Sequence, residues 1–120
     1  MRSPILILIV MLTLVANLAV AQTRKITLVN QTGSDIKAVY IAPASEEEFD
    51  KSDELLKGRI FPAGKAFEIT YEGNASVWDL LVTWKDGSGD VEWSKLKLVP
   101  GHTYGLVYNE DSGQTTLKQL

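Results

Sequence analysis

The chain has 120 residues, with 12 Lys plus Arg against 15 Asp plus Glu, one His, no Cys and a formal charge of −3. That length fits one domain and excludes a TIM barrel or a full dinucleotide-binding enzyme. The mild acidity argues against a nucleic-acid-binding face, and the absence of Cys excludes disulfides, thiolate metal ligands and a Cys nucleophile.

Residues 1–21 read as a signal peptide. Arg2 supplies the positive start, Ile5 to Ala16 is an apolar run broken only by Thr13, and Ala19-Val20-Ala21 is a small-x-small cleavage pattern. The cut is expected before Gln22. The run to Ala21 contains Asn17 and is short for a span of ~20 residues, so no membrane span is expected after cleavage. The chain is therefore expected to be exported, to the periplasm or the extracellular space. A secreted domain without Cys fits a bacterial envelope better than a eukaryotic exterior. Two sequons occur, Asn30-Gln31-Thr32 and Asn74-Ala75-Ser76.

Residues 22–120 then form one domain of β character. Lys25 to Gln31 alternates around Ile26 and Leu28 and predicts a strand. Thr32-Gly33-Ser34-Asp35 is turn chemistry. Ile36 to Ala42 predicts a second strand, and the two together predict an antiparallel hairpin. Pro43 ends it. Ser45-Glu46-Glu47-Glu48 has capping-box spacing, and residues 46–54 hold six acids and one Lys. This predicts one or two helical turns over about 46–57, with Leu55-Leu56 pinned to the core and Gly58 as the stop.

Arg59-Ile60-Phe61 reads as a short extended piece and Pro62-Ala63-Gly64 as a turn. Ala66 to Tyr71 puts Phe67, Ile69 and Tyr71 on one face. Val77 to Trp84, apolar apart from Asp79 and Thr83, predicts a central strand buried on both faces. Asp86-Gly87-Ser88-Gly89-Asp90 predicts a hairpin into Val91 to Val99, whose apolar parity shifts between Trp93 and Leu96, the mark of a bulge. Thr103 to Asn109 and Gln114 to Leu120 complete the set. Seven or eight short strands with a turn roughly every ten residues predict an all-β antiparallel sandwich. No crossover helix exists to serve a parallel pair.

The order of features also carries a resemblance. Asn30-x-Thr32-Gly33-x-x-Ile36 leads into Val39-Tyr40-Ile41-Ala42-Pro43. An acidic excursion follows, then Leu55-Leu56, Pro62-Ala63-Gly64, Trp78-Asp79-Leu80 and Asp86-Gly87. In this the chain resembles a group of small exported bacterial β-sandwich proteins of uncharacterised function. Where that group often has Trp or Tyr followed by Gly, this chain has Phe49-Asp50. The resemblance implies a fold and brings no active site with it.

The chemistry-bearing residues point away from catalysis. His102 is the one His, it follows the Pro100-Gly101 turn, and no Gly-x-Ser-x-Gly elbow occurs, so a nucleophilic triad has no base. One His and no Cys leave no transition-metal set. Asp86, Ser88, Asp90 and Glu92 have the spacing of a Ca²⁺ loop, but Val91 and Lys97 stand where Gly and Glu are required. Asp79, the acid inside an apolar strand, reads as structural, with acid–base work as the sharper alternative. No cofactor is expected.

Two readings remain. In the first, the chain is a non-enzymatic interaction or accessory module that meets a protein partner in the cell envelope. Contact runs through a strand edge or the acidic 46–54 segment, with Glu46, Glu47, Glu48, Phe49 and Asp50 as contact residues. In the alternative, surface tryptophans Trp84 and Trp93, flanking the 86–90 hairpin, share a face and stack a carbohydrate.

Overall fold

The computed structural model describes residues 22–120, and the expected signal peptide, residues 1–21, lies outside them. The chain forms β1 (Thr23–Gln31), β2 (Ile36–Pro43), β3 (Ala66–Glu72), β4 (Trp78–Trp84), β5 (Asp90–Leu96), β6 (Thr103–Asn109) and β7 (Gln114–Gln119). They make a four-stranded sheet in the order β3-β1-β6-β7 and a three-stranded sheet in the order β2-β4-β5. Alternation does this work. Ile26, Leu28, Ile69, Tyr71, Tyr104 and Leu106 of the first sheet and Val39, Leu80, Val82, Trp84 and Trp93 of the second join one buried cluster. Burial of each such side chain stabilises the fold by about 1.5–3 kcal/mol before chain entropy is counted.

Four sequence expectations are corrected. The turn at 32–35 does not close a hairpin: β1 pairs with β3 and β6, β2 pairs with β4, and the turn carries the chain from one sheet to the other. The cause is Asn30, which is 0% exposed. Its Nδ2 donates to Ser34 O at 2.8 Å and Phe61 O at 3.1 Å, and its Oδ1 accepts from Thr32 N at 3.1 Å and Thr32 Oγ1 at 2.6 Å. These bonds fold the turn inward over the end of the core rather than letting it continue a ladder. The parallel pair, which the missing crossover helix argued against, exists: β1 runs parallel to β6, with Thr27 opposite Thr103. Its connection passes through the whole second sheet instead of a helix.

The third correction concerns β4, which is central but not buried on both faces. Trp78, Leu80, Val82 and Trp84 are buried, whereas Asp79, Leu81 and Thr83 are half-buried. The fourth concerns residues 46–57, which form turns and bends with no helix. The predicted bulge is present: Trp78 faces Leu96 while Leu80 faces Trp93, and Lys95 has φ 55°. Asp79 Oδ1 accepts the Lys95 N–H at 2.8 Å, so this acid holds the bulge.

Candidate functional site

The acidic segment lies on a strap that leaves β2 at Pro43 and returns at Phe61. A helix here would have placed Glu46 and Asp50 four residues apart on one face, like charges that repel. Side chains offer the backbone better partners. Asp50 Oδ1 accepts the Ser52 N–H at 3.0 Å and the Ser52 hydroxyl at 2.6 Å, and these bonds hold the Asp50 carboxyl below its usual range. Glu54 accepts three main-chain N–H groups, from Val39 at 2.9 Å, Leu56 at 2.6 Å and Gly58 at 3.2 Å. The Leu55 N–H donates to Val39 O at 2.9 Å, and Ile36 and Phe61 exchange main-chain bonds at 3.0 and 2.8 Å. The strap is thereby stitched to the β2 edge, with Leu55 and Leu56 in the core as expected. Lys57 at φ 54° and Gly58 at φ 81° turn the chain away.

The strap also crosses the outer face of the three-stranded sheet. Lys51 Nζ stands 4.7 Å from the centre of the Tyr40 ring on β2 and 3.8 Å from Asp90 Oδ2 on β5, the two opposite edges. Asp53 meets Lys57 at 3.8 Å. Three of the six acids are thus engaged locally: Asp50 in a turn, Asp53 in an ion pair and Glu54 in the stitch. Glu46, Glu47 and Glu48 are exposed and, among the described residues, meet no side-chain partner. Phe49 is half-buried between these glutamates and Asp50.

Trp84 and Trp93 share a face, because Val82 opposes Val91 and Leu80 opposes Trp93. That face is the inner one. Trp93 is 1% exposed and Trp84 is 7% exposed. Trp93 Nε1 donates to Thr116 O at 3.0 Å, tying β5 to β7 across the two sheets. The expectation of two surface rings is corrected: parity put them together, and the hydrophobic core claimed the side they share. Trp84 lies 5.5 Å from Tyr108. Both line a cleft of about 290 Å³ at the Asn30 end of the molecule, with Thr32, Ser34, Asp86 and Glu110 around it.

The remaining singled-out residues make local bonds. Asp86 Oδ1 accepts the Ser88 N–H at 2.9 Å, a hairpin turn whose bonds lower the Asp86 pKa. His102 Nδ1 lies 3.0 Å from Gln119 Nε2. Among the described residues, no group of three or more His, Asp or Glu is placed to hold a metal ion, and no helix is long and apolar enough to cross a membrane. Sequence reasoning missed Asn30 and Glu54. Asn30 stood in plain view as Asn-x-Thr-Gly at a strand end, an Asx-turn signal. Glu54 is one acid among six, and nothing local marks it.

No family model matches the chain, and no curated protein matches it. Among solved structures, it is similar to the NMR structure of a protein from Eubacterium rectale, with a TM-score of 0.51 and 15% sequence identity over 81% of this chain and 87% of that one. At that identity the likeness shows a shared fold alone. The neighbour is bacterial.

Proposed function

We propose that the chain is an exported, non-enzymatic β-sandwich module that docks a basic protein partner in the cell envelope, outside the inner membrane. The contact residues are Glu46, Glu47 and Glu48, with Phe49 and Asp50 beside them. One observation carries this reading: within the strap these three carboxylates alone are left uncommitted, on a segment stitched firmly enough to present them. Exposed charge of one sign steers an oppositely charged partner and makes the encounter salt-sensitive. The test is crosslinked capture from the native envelope, with a Glu46→Lys/Glu47→Lys/Glu48→Lys variant in parallel. The partner should be captured by the natural chain, less so at high salt, and lost from the variant. Equal capture by both removes the strap from the interface, and a specific partner with no basic surface refutes the charge argument.

The carbohydrate reading survives in a narrower form, through the Trp84–Tyr108 cleft with its hydroxyl and carboxylate rim. It predicts a change in tryptophan fluorescence on adding envelope saccharides, and Trp93 has no part in it. A flat titration refutes it.

A further inference from the structure

A sheet edge carries a row of unpaired main-chain donors and acceptors, which folds ordinarily cover, bend or charge. Here β2 is covered by Glu54, Leu55 and Phe61, and β5 is bent by its Lys95 bulge. β3 is treated differently. The Asn30 N–H donates to Lys65 O at 2.9 Å and the Gly73 N–H to Gln22 O at 3.0 Å, bracketing the β1–β3 ladder. With Leu28, Ile26 and Arg24 opposite Phe67, Ile69 and Tyr71, those bonds set its phase. Phe67, Ile69 and Tyr71 turn their main-chain groups to β1, and Glu68, Thr70 and Glu72 turn theirs outward. Among the described residues nothing pairs with these outward groups, and all three residues are exposed.

Two clefts flank the β3 edge. A cleft of about 450 Å³ lies between Thr70 and Glu72 on one side and Ile41, Pro43 and Lys57 on the other. A second, of about 370 Å³, lies where Arg59 faces Ala66 and Glu68. The edge strand and the returning limb of the strap thus form two walls of a groove along β3. Tyr71 and Trp78 line its larger cleft, packed edge to face at 4.9 Å. They are 4% and 1% exposed, and Tyr71 Oη and Trp78 Nε1 are buried with no partner among the described residues. Both atoms can donate, and buried donors ordinarily meet an acceptor oxygen.

We propose that this groove binds an extended peptide of a protein partner, which joins the four-stranded sheet as a strand beside β3. Glu68, Thr70 and Glu72 repeat an outward N–H and C=O every second residue, about 6.8 Å apart, and an extended main chain is the ligand that repeats at that distance. The two clefts sit four residues apart on β3, so they take side chains i and i+4 of the peptide, roughly 13 Å apart on one face. Asp53 and Lys57 offset each other at the larger cleft and Glu72 disfavours a carboxylate there, which selects an uncharged side chain. The proposal rests on the chain being an interaction module, and it names a contact separate from Glu46, Glu47 and Glu48.

The probe is a random heptapeptide display library panned against the purified full chain, followed by a synthetic copy of the enriched peptide. Main-chain amide exchange by NMR is the readout. The peptide should slow exchange at Glu68, Thr70 and Glu72 while Phe67, Ile69 and Tyr71, already bonded to β1, change little. Thr70→Pro removes one outward N–H without touching the β1 ladder and should weaken the peptide about tenfold. Should that variant not fold, the exchange pattern of the natural chain decides alone. No enriched peptide, or protection elsewhere, overturns the groove. Protection of the same amides without peptide, growing with protein concentration, assigns the edge to a second copy and also overturns it. The charge-reversal capture is read independently, so docking at Glu46, Glu47 and Glu48 can stand while the groove falls.

Discussion

Replacing Asn30 by Asp changes one side-chain nitrogen to oxygen at a site with no solvent exposure. Asn30 Nδ2 donates at 2.8 Å to Ser34 O and at 3.1 Å to Phe61 O, so Asn30→Asp turns two hydrogen bonds into two contacts between acceptors. The two lost bonds remove about 2 kcal/mol net, Phe61 O keeping the Ile36 N–H and Ser34 O the Thr32 hydroxyl, and burying a carboxylate oxygen with no donor adds ~1–2 kcal/mol, which together give about 3–4 kcal/mol. For a domain of this size that is a large fraction of a total near 5–15 kcal/mol. In urea the midpoint should fall by roughly 2 M at neutral pH. The loss has a signature in pH. A carboxyl wedged between two carbonyl oxygens favours its protonated form, so its folded pKa rises above the unfolded value of about 3.9. Below about pH 4 the proton donates to one carbonyl and roughly half the loss is recovered. As pH rises from there through the folded pKa, the penalty grows to its full size and then stays constant. Urea titrations of both chains across acidic and neutral pH measure this. A neutral-pH shift under about 0.3 M, or a penalty independent of pH, refutes the assignment of Asn30 as the clamp of this end of the core.

Glu54→Ala strands the N–H groups of Val39, Leu56 and Gly58 and should cost about 2–3 kcal/mol, with faster limited proteolysis within residues 46–53. Unchanged cleavage would mean that Leu55 and Leu56 hold the strap unaided. Tyr71→Phe removes a buried hydroxyl without a partner and should shift neutral-pH stability by no more than about 0.5 kcal/mol. Burial raises the Tyr71 pKa, so its neutral phenol supports the fold below the unfolded value of about 10 and that support is lost as pH rises through the folded value. Tyr71→Phe should therefore lose stability less steeply on alkaline titration, and identical curves would refute the burial argument. Gly73→Ala places a Cβ 2.8 Å from the Trp78 ring at φ +136°. It should cost about 2–3 kcal/mol and alter the near-UV circular dichroism of the Tyr71–Trp78 pair.

Period and turn chemistry made most of the architecture legible. Ile69 and Tyr71 point inward because every second residue must, and the Asp86–Asp90 turn sets a hairpin because Gly supplies its positive φ. The bulge at Lys95 showed as a change of parity. Partner choice was not legible. Thr32-Gly33-Ser34-Asp35 would suit a hairpin equally well, and whether it becomes one depends on where the Asn30 amide finds its carbonyls, one of them on distant Phe61. The helix over 46–57 failed for a similar reason: Ser45 and Glu48 have capping spacing, but Glu54 bonds Val39, which a local window does not contain. Parity paired Trp84 with Trp93 correctly. It could not tell inside from outside, because an aromatic pair satisfies a core and a platform alike. The acidic triplet was legible as charge, and only the structure separates Glu46, Glu47 and Glu48 from the acids already in use.

The parallel pairing of β1 with β6 bears on how the chain reaches its folded state. β1 is held by β3 on one side and by β6 on the other. A chain threaded through a pore amino end first delivers β1 early and β6 nearly last. Until Thr103–Asn109 emerges, the first sheet lacks its centre, and β1 has one of its two neighbouring strands. Sheet closure is therefore a late, nearly all-or-none event dominated by contacts between distant parts of the sequence, the kind of topology that folds in milliseconds to seconds rather than microseconds. Truncation before β6 should leave no smaller folded core behind, because β1 then keeps only its ladder to β3 and the buried cluster lacks Tyr104 and Leu106.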